Sequence, residues 1–335
     1  MSKSAVLLIN LGSPDSAGVS DVRRYLRQFL SDKYVIDIPW LLRKFLLEAI
    51  ILPTRPKKSA EAYQKIFTAE GSPLVVISEK QRQLLAKQLT IDVELAMRYG
   101  NPSIPGALKK LAEKEVSKLI VIPLYPQYAM SSYLTVIEEV KKHNKGRFQF
   151  EFVPAFYDEK SYLTALTASI KKALPAQFDH FLFSYHGLPE RQITKVDPTG
   201  QCLSSATCCE NPGDRLPTCY RAQSFYISNE ISKRLKLPTD KVNTVFQSRL
   251  GRTPWLTPYA DEFIVSLAEN GVKKLVVACP SFVTDCLETL EEIEMRASED
   301  FIAAGGEKLT LIPCLNESPL FIKALAEFVE KRISA

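Results

Sequence analysis

Two stretches of the sequence, residues 7–15 (LLINLGSPD) and 182–190 (LFSYHGLPE), share an apolar run that leads into a glycine, a proline and an acidic residue. A second pair, residues 111–121 (LAEKEVSKLIV) and 267–277 (LAENGVKKLVV), matches in the same way. The members of the two pairs are separated by 175 and 156 residues. We therefore predict two related halves, with one loop inserted or deleted between them.

Apolar runs of strand length alternate with helix-length segments along the chain. This alternation predicts an α/β protein whose parallel sheets are flanked by helices on both faces. In such folds ligands bind beyond the carboxyl ends of the strands. The repeat gives Leu11 and His186 equivalent positions there, so we expect both loops to face one cleft. The predicted strands cover residues 5–11, 93–97, 119–124, 148–153, 181–185, 242–246, 275–279 and 309–312.

The length of 335 residues favours two domains. We predict a first lobe at residues 1–160 and a second at residues 161–312, with a C-terminal helix in residues 313–335 that packs back on the first lobe. The net charge of +5 is spread over the chain without a dense run of lysine and arginine. Nucleic acid is therefore not an expected partner.

The N-terminal sequence lacks the pattern of a signal peptide, so we expect the protein in the cytoplasm. The most apolar segment, residues 40–52, contains Arg43, Lys44 and Glu48 and is too short to span a bilayer. Two interpretations remain open for it. It is either an amphipathic helix in peripheral contact with the inner face of the membrane, or a helix that covers the core or the lip of a pocket.

His186 is one of only three histidines and follows the apolar run 181–183. A strand that ends in a short loop with Gly187 and Pro189 presents this imidazole at the edge of a sheet. Histidine exchanges protons and binds metals near neutral pH. A hydrogen-bonded loop histidine without a chemical role is the alternative.

Acidic residues crowd the segment 284–294, which follows a predicted strand. Thr284 or Asp285 is the predicted N-cap of a helix here. In a regular helix, Asp285, Glu288 and Glu292 fall within about 60° of one another on one face.

A solvated acidic surface is one interpretation of this face. The other is a row of carboxylates that faces His186 across a cleft. One imidazole and several carboxylates can together bind a divalent cation and accept protons. This second arrangement is typical of metal transfer.

Seven cysteines occur, and four of them lie within 18 residues. In a reducing cytoplasm, such crowding indicates metal binding more often than disulfides. The other three, Cys279, Cys286 and Cys314, lie in or beside apolar runs and are expected in the core. The crowded set consists of Cys202, Cys208, Cys209 and Cys219.

These residues and several short motifs resemble the ferrochelatases, which insert ferrous iron into protoporphyrin IX to form protohaem. The resemblance extends over almost the whole chain. It implies two Rossmann-like, flavodoxin-like lobes of the chelatase type, with the active site in the cleft between them. The motifs that carry it are Asn10-Leu11-Gly12-Ser13-Pro14, Gly71-Ser72-Pro73, Arg98-Tyr99-Gly100, Tyr125-Pro126-Gln127-Tyr128, Ser184-Tyr185-His186-Gly187-Leu188-Pro189, Phe246-Gln247-Ser248-Arg249, Pro254-Trp255-Leu256 and Leu287-Glu288-Thr289-Leu290.

The resemblance also implies roles for individual residues. His186 and Glu288 match the pair at the metal-insertion centre, and Glu292 and Asp285 match the acidic path behind them. An apolar slot with an arginine at its mouth suits a flat macrocycle that carries carboxylates. The matching residues that line the porphyrin pocket are Leu11, Arg98, Tyr99 and Trp255, and those that hold or neighbour the porphyrin propionates are Arg55, Tyr63 and Ser72.

Two features depart from the pattern of the family. Cys286 occupies a position where several members carry a histidine. Residues 201–219, approximately, look like an insertion, and their four cysteines resemble the ligands of the 2Fe–2S cluster that some ferrochelatases contain. A cluster, a zinc ion and free thiols all remain open for this set.

We therefore expect a ferrochelatase, a lyase of haem biosynthesis, with protoporphyrin IX and ferrous iron as substrates. One alternative is a chelatase for another tetrapyrrole, such as coproporphyrin, or for cobalt. Another is a non-catalytic tetrapyrrole-binding protein. The sequence leaves open whether His186 accepts protons, ligates iron or does both.

Overall fold

Two parallel four-stranded sheets form the framework of the chain. The computed structural model describes residues 3–205, 207–210, 212–251 and 253–333, so Ala206 and Asn211 of the predicted insertion lie outside the described residues. Each of the eight predicted apolar runs contains a strand, which confirms the predicted α/β fold. The strands are β1 (Ser4–Asn10), β2 (Asp92–Met97), β3 (Lys118–Pro123), β4 (Gln149–Phe152), β5 (His180–His186), β6 (Val242–Gln247), β7 (Lys274–Ala278) and β8 (Lys308–Leu311).

The two sheets have the same topology, with strand orders β2-β1-β3-β4 and β6-β5-β7-β8. Ala5 pairs with Leu119, and His180, 175 residues after Ala5, pairs with Leu275, which lies 156 residues after Leu119. The central strand pairs therefore share one register. This agreement is what the predicted repeat requires.

Helices connect the successive strands, as parallel pairing demands. The helices that precede β3 and β7 both contain ten residues and are again 156 residues apart. In the described part of the chain the α-helices are α1 (Val19–Leu30), α2 (Trp40–Phe45), α3 (Leu52–Ile66), α4 (Pro73–Ala86), α5 (Ile104–Glu113), α6 (Thr135–His143), α7 (Lys160–Ala173), α8 (Glu190–Lys195), α9 (Tyr220–Leu235), α10 (Ala260–Glu269), α11 (Leu287–Thr289), α12 (Ser298–Ala303) and α13 (Pro319–Ile333).

Several segments depart from α-helical geometry. Leu46–Ile51, Met130–Leu134 and Leu290–Ala297 are π-helical, and Gly213–Arg215 and Thr239–Lys241 are short 3₁₀ turns. Wider π-helical turns occur frequently at functional sites. The third of them follows α11 directly, within the acidic segment.

The chain divides into two compact units. The N-terminal unit contains residues 3–125, 130–155 and 322–333, and the C-terminal unit contains residues 126–129 and 156–321. Helix α13 thus begins in the C-terminal unit and continues in the N-terminal unit. The domain limits of 160 and 312 remain a prediction from the sequence.

Each sheet is buried because helices cover both of its faces. In the N-terminal unit, Leu7 and Ile9 of β1 belong to a core that includes Leu111 of α5. In the C-terminal unit, Leu182 of β5 belongs to a core that includes Ile264 of α10. The polar residues that remain at the strand ends are therefore the candidates for chemistry.

The repeated stretch requires a glycine for the same steric reason in both halves. A Cβ atom on Gly12 would lie 1.7 Å from the Tyr99 carbonyl oxygen, and a Cβ atom on Gly187 would lie 2.8 Å from the Gln247 carbonyl oxygen. Gly12 also has a φ of +105°, which side chains disfavour. The loops after β1 and β5 approach the neighbouring strand too closely for any side chain.

No helix in the described ranges has the length and the apolar character that a membrane crossing needs. The apolar segment 40–52 forms α2, a π-helical stretch and the first residue of α3. Leu47 and Leu52 of this segment are buried in the core, but five of its large apolar side chains are exposed. The exposed residues are Trp40, Leu41, Leu42, Phe45 and Ile50.

Candidate active site

His186 is the last residue of β5 and lies half-buried at the carboxyl edge of its sheet. Its Nδ1 is 2.6 Å from the Gly187 carbonyl oxygen. Because a carbonyl oxygen can only accept a hydrogen bond, Nδ1 carries the proton of the neutral imidazole. The lone pair of Nε2 then remains available to take a proton or to bind a metal.

The acidic helix begins one to two residues later than predicted. Its N-cap is Cys286, whose sulfur accepts the backbone N–H of Thr289, while the Thr289 hydroxyl accepts the Cys286 N–H at 3.0 Å. The predicted N-caps, Thr284 and Asp285, were therefore wrong. Because the helix becomes π-helical from Leu290 onward, the regular spacing of 100° per residue does not describe its acidic face.

Asp285 precedes this helix and anchors it to the segment after β8. Its carboxylate accepts the Cys314 N–H at 3.1 Å and the Asn316 side-chain N–H at 2.6 Å. The Asp285 N–H donates in return to the Asn316 side-chain oxygen at 2.9 Å. The structure therefore gives Asp285 a structural function, and its place in an acidic path remains a prediction.

Glu292 is held by a residue that the sequence analysis did not single out. Ser248 donates to the two Glu292 oxygens, through its N–H at 2.8 Å and through its hydroxyl at 2.5 Å. Ser248 has a φ of 65°, a conformation that costs on the order of 1 kcal/mol or more in a residue other than glycine. The two bonds to one carboxylate offset this strain.

The electrostatics of Glu292 link it to two other predicted site residues. Burial raises the pKa of the Glu292 carboxyl above its usual 4.5, and the negative charge of Glu288 raises it further. The Ser248 hydroxyl and a positive charge on His186 act in the opposite direction. His186 and Glu288 are thus close enough to Glu292 for their charges to act on its pKa.

Gln247 connects the segments that carry these three side chains. Its carboxamide oxygen accepts the Ser184 hydroxyl at 2.7 Å, and its carboxamide N–H donates to the Glu288 carbonyl oxygen at 2.7 Å. Its own carbonyl oxygen accepts the Gly187 N–H, also at 2.7 Å. Gln247 and Ser248 belong to the motif at residues 246–249, so their position after a predicted strand was a signal that could have identified them.

Trp255 lies beside the loop of His186. Its backbone pairs with Pro189, and its indole ring would lie 3.3 Å from a Cβ atom on Gly187. The indole Nε1 is buried and has no hydrogen-bond partner in the described structure. The role of Trp255 in lining the porphyrin pocket remains a prediction.

In the N-terminal unit, two predicted pocket residues contact Asp32. The Arg98 guanidinium donates to the Asp32 carboxylate at 2.5 Å, and the Tyr99 hydroxyl donates to the same oxygen at 2.8 Å. Tyr99 is completely buried. Leu11, in contrast, is only half-buried beyond β1, and its carbonyl oxygen accepts the Tyr99 N–H.

The three residues predicted to hold or neighbour the porphyrin propionates lie in different environments. Arg55 is exposed on α3, and Tyr63 on the same helix is buried against Tyr25 and Phe67. Ser72 is the N-cap of α4 and is also buried. Among these three residues, only Arg55 has an exposed side chain, and the propionate contacts of all three remain predictions.

The four crowded cysteines form two pairs. The Sγ atoms of Cys202 and Cys219 are 3.8 Å apart, and those of Cys208 and Cys209 are 3.9 Å apart. Arg221 donates to the Cys209 sulfur at 3.1 Å. The Cys209 thiol donates to Cys219, which lowers the pKa of Cys219 to about 6.

Across the described ranges, no group of three or more His, Cys, Asp or Glu side chains is already arranged to hold a metal ion. The pairs of cysteine sulfurs are therefore the closest grouping of soft ligands. Cys279, Cys286 and Cys314 are buried, as predicted, and burial raises the pKa of each thiol well above its usual value.

Comparison with known proteins identifies one family. The family model described as Ferrochelatase matches residues 3–333. A ferrochelatase of Pseudomonas fluorescens (strain SBW25) is 50% identical over 341 residues, which cover 100% of both chains. A ferrochelatase of Ectopseudomonas mendocina (strain ymp) is 49% identical and covers 99% of this chain and 98% of its own.

A solved structure shares the fold at low sequence identity. SirB from Bacillus subtilis with Fe3+ has a TM-score of 0.54 and 12% identity, and the match covers 98% of this chain and 95% of the SirB chain. This likeness supports the two-sheet chelatase-type architecture.

We predict that Ser248→Ala raises the pKa of Glu292 further, because it removes a donor that favours the ionised carboxylate. A raised pKa in the folded state means that Glu292 costs stability as the pH rises from 4.5 through the folded-state pKa. The stability deficit of the variant should therefore grow over that range. Carbon-13 NMR of labelled glutamate, assigned with Glu292→Gln, and urea unfolding at several pH values measure both effects.

Ser266→Ala is the matched control, since its half-buried hydroxyl bonds to the Phe263 carbonyl oxygen in α10 and not to a carboxylate. It should leave the Glu292 titration unchanged. An unchanged or lowered pKa of Glu292 in Ser248→Ala would contradict the assignment.

Proposed function

The chain belongs to the ferrochelatase family, and on this premise we propose that His186, Glu288 and Glu292 form its metal-insertion centre. The protein is a lyase, a metal chelatase that inserts Fe²⁺ into protoporphyrin IX to form protohaem. The observation that carries the assignment is that Gln247 and Ser248, at the end of β6, bond to the Glu288 backbone, to the Glu292 carboxylate and to the loop after His186.

Metal insertion requires two pyrrole protons to leave as the cation enters. His186 is suited to accept the first, because its Nδ1 is bonded to the Gly187 carbonyl oxygen and its Nε2 lone pair is available. Glu292 is suited to accept a proton because burial raises its pKa and so makes its carboxylate a stronger base. Glu288 provides a carboxylate for the divalent cation, a ligand type that suits iron.

The supporting residues keep this centre in place. Gln247 fixes the backbone of Glu288, and Ser248 fixes the carboxylate of Glu292. Asp285 anchors the start of the acidic helix through Asn316. We propose that Asp285 acts mainly through this anchoring, and that Trp255 offers its ring face and unpaired indole N–H to the bound tetrapyrrole.

We predict that His186→Ala lowers the rate of protohaem formation by about 10³-fold or more, within the range expected when a general base is removed. Tetrapyrrole binding should change little, since the imidazole supplies a small part of the contact area. Anaerobic absorbance assays with ferrous iron measure the rate, and quenching of tryptophan fluorescence measures binding.

His143→Ala is the control, because His143 pairs with Glu139 on α6 and belongs to the N-terminal unit. It should retain the activity of the unchanged protein. Turnover by His186→Ala at a similar rate would refute the assignment of the centre.

We further propose that the four crowded cysteines hold a 2Fe–2S cluster. Two thiolates on one tetrahedral metal, with metal–sulfur bonds of about 2.3 Å, lie about 3.8 Å apart. Both observed sulfur pairs have this separation. One iron would be held by Cys202 and Cys219 and the other by Cys208 and Cys209, and the bound cluster would supply a one-electron redox centre.

We predict about two iron atoms and two acid-labile sulfides per chain in protein purified without oxygen, together with visible absorption. Cys202→Ser should abolish this absorption, whereas Cys314→Ser, at a core cysteine, should retain it. One zinc ion per chain in colourless protein would support the zinc alternative. Colourless protein free of both metals would leave the thiols unligated and overturn the proposal.

We also propose that the exposed residues of segment 40–52 contact a membrane surface. Trp40, Leu41 and Phe45 are each more than half exposed, and the Lys44 ammonium lies 5.2 Å from the centre of the Trp40 ring. Aromatic and aliphatic side chains interleaved with lysine and arginine suit the interface of an anionic bilayer. Such a contact would allow the enzyme to take its apolar porphyrin substrate from the membrane.

We predict that Leu41→Ser weakens binding to vesicles of phosphatidylglycerol and phosphatidylcholine by about tenfold, since one leucine side chain leaves the acyl region. Co-sedimentation measures the bound fraction. Ile302→Ser removes an exposed apolar side chain from α12 and should have no effect. Equal vesicle binding by the unchanged protein, Leu41→Ser and Ile302→Ser would exclude segment 40–52 as the membrane contact.

A further inference from the structure

Tyr220 makes an unusual connection to the strand that carries His186. Its hydroxyl is 2.9 Å from the His186 carbonyl oxygen and 2.8 Å from the Ser281 hydroxyl. Since the carbonyl oxygen can only accept, the tyrosine proton goes to His186 and the Ser281 hydroxyl donates to the tyrosine oxygen. Tyr220 is buried, and burial raises the pKa of its hydroxyl, so the donor keeps its proton.

The direction of the His186 carbonyl explains why a side chain, rather than a neighbouring strand, supplies its hydrogen-bond donor. In a parallel strand, successive residues direct their backbone groups to opposite neighbours. The Gly187 N–H donates to the carbonyl oxygen of Gln247, the last residue of β6, so the His186 carbonyl points toward β7. β7 ends at Ala278, before it can supply a partner. The Tyr220 hydroxyl takes that place and bridges the ends of β5 and β7.

Tyr220 is also joined directly to the cysteine set. It is the first residue of α9, and the N-cap of that helix is Cys219, whose sulfur accepts the Ala222 N–H at 3.4 Å. The same sulfur lies 3.8 Å from that of Cys202. A metal held by these two sulfurs therefore fixes the first turn of α9, where Tyr220 begins.

We infer that Tyr220 is a positioning residue that couples the cysteine set to His186. The inference rests on the proposed role of His186 at the metal-insertion centre. On the proposal that the cysteine set binds metal, the metal would hold the first turn of α9 in place. The Tyr220 hydroxyl would then hold the end of β5, so that the imidazole keeps the orientation in which Nε2 faces its substrate. Loss of the metal loosens the same connection.

Tyr220→Phe tests the connection with the smallest change, because it removes the hydroxyl and keeps the ring. The catalytic constant should fall roughly tenfold, as expected for a misplaced catalytic group, with KM values for both substrates changed less than about twofold. Metal content and visible absorption should remain those of the unchanged protein. Amide hydrogen exchange of the peptide that contains residues 184–188 should become faster.

Tyr162→Phe is the matched control. Its hydroxyl is also buried and donates to the Pro280 carbonyl oxygen at 3.1 Å, not to the His186 carbonyl oxygen. It should leave both the catalytic constant and the exchange of residues 184–188 unchanged.

A double-mutant cycle tests the link to the cysteines. Cys202→Ser should lower the catalytic constant in the unchanged background but have little further effect in Tyr220→Phe, because both changes break one connection. Independent, multiplicative effects would overturn the coupling.

Normal exchange and a normal catalytic constant in Tyr220→Phe, with His186→Ala inactive, would overturn the positioning role and leave the proposed centre intact. An active His186→Ala would instead refute the centre, and hydrogen exchange would still report on the Tyr220 contact.

Discussion

The carboxamide of Gln247 is the interaction on which the rest of the centre depends. Buried at the end of β6, it accepts from Ser184 in β5 and donates to the backbone of Glu288, while its carbonyl oxygen accepts the Gly187 N–H. A buried amide must satisfy its donors and acceptors, because an unpaired polar group costs about 1 to 3 kcal/mol. Gln247 meets this requirement only when the histidine loop and the acidic helix occupy their observed positions.

The sequence predicted the fold well because the relevant signals are local. Buried parallel strands read as apolar runs, and all eight lie within one residue of the predicted bounds at their starts. The repeat was detectable in the sequence because the same steric constraint acts in both halves. At Gly12 and at Gly187, a neighbouring carbonyl oxygen leaves no room for a side chain. The two equivalent loops nevertheless differ in chemistry, since one carries Leu11 and the other His186.

The site was predicted less completely because its contacts join residues that are distant in the chain. Asp285 bonds to Asn316, and Tyr220 bonds to the His186 carbonyl across 34 residues, and neither leaves a periodic signal. Arg98 was expected at a pocket, but the structure shows its ion pair with Asp32, 66 residues away. The late helix start has a similar cause, since the cap is a cysteine sulfur rather than the oxygen that capping patterns favour.

The environments of Glu288 and Glu292 suggest how the proposed centre would order proton release and metal entry. Glu292 is buried and held by Ser248, so its proton affinity responds strongly to nearby charge. A positive charge on His186 lowers the pKa of Glu292, and a divalent cation beside Glu288 acts in the same direction with twice the charge. If the proposed centre is correct, an arriving cation would favour release of a proton that Glu292 had taken from the previous macrocycle. Coulomb interactions would then couple metal entry to proton exit.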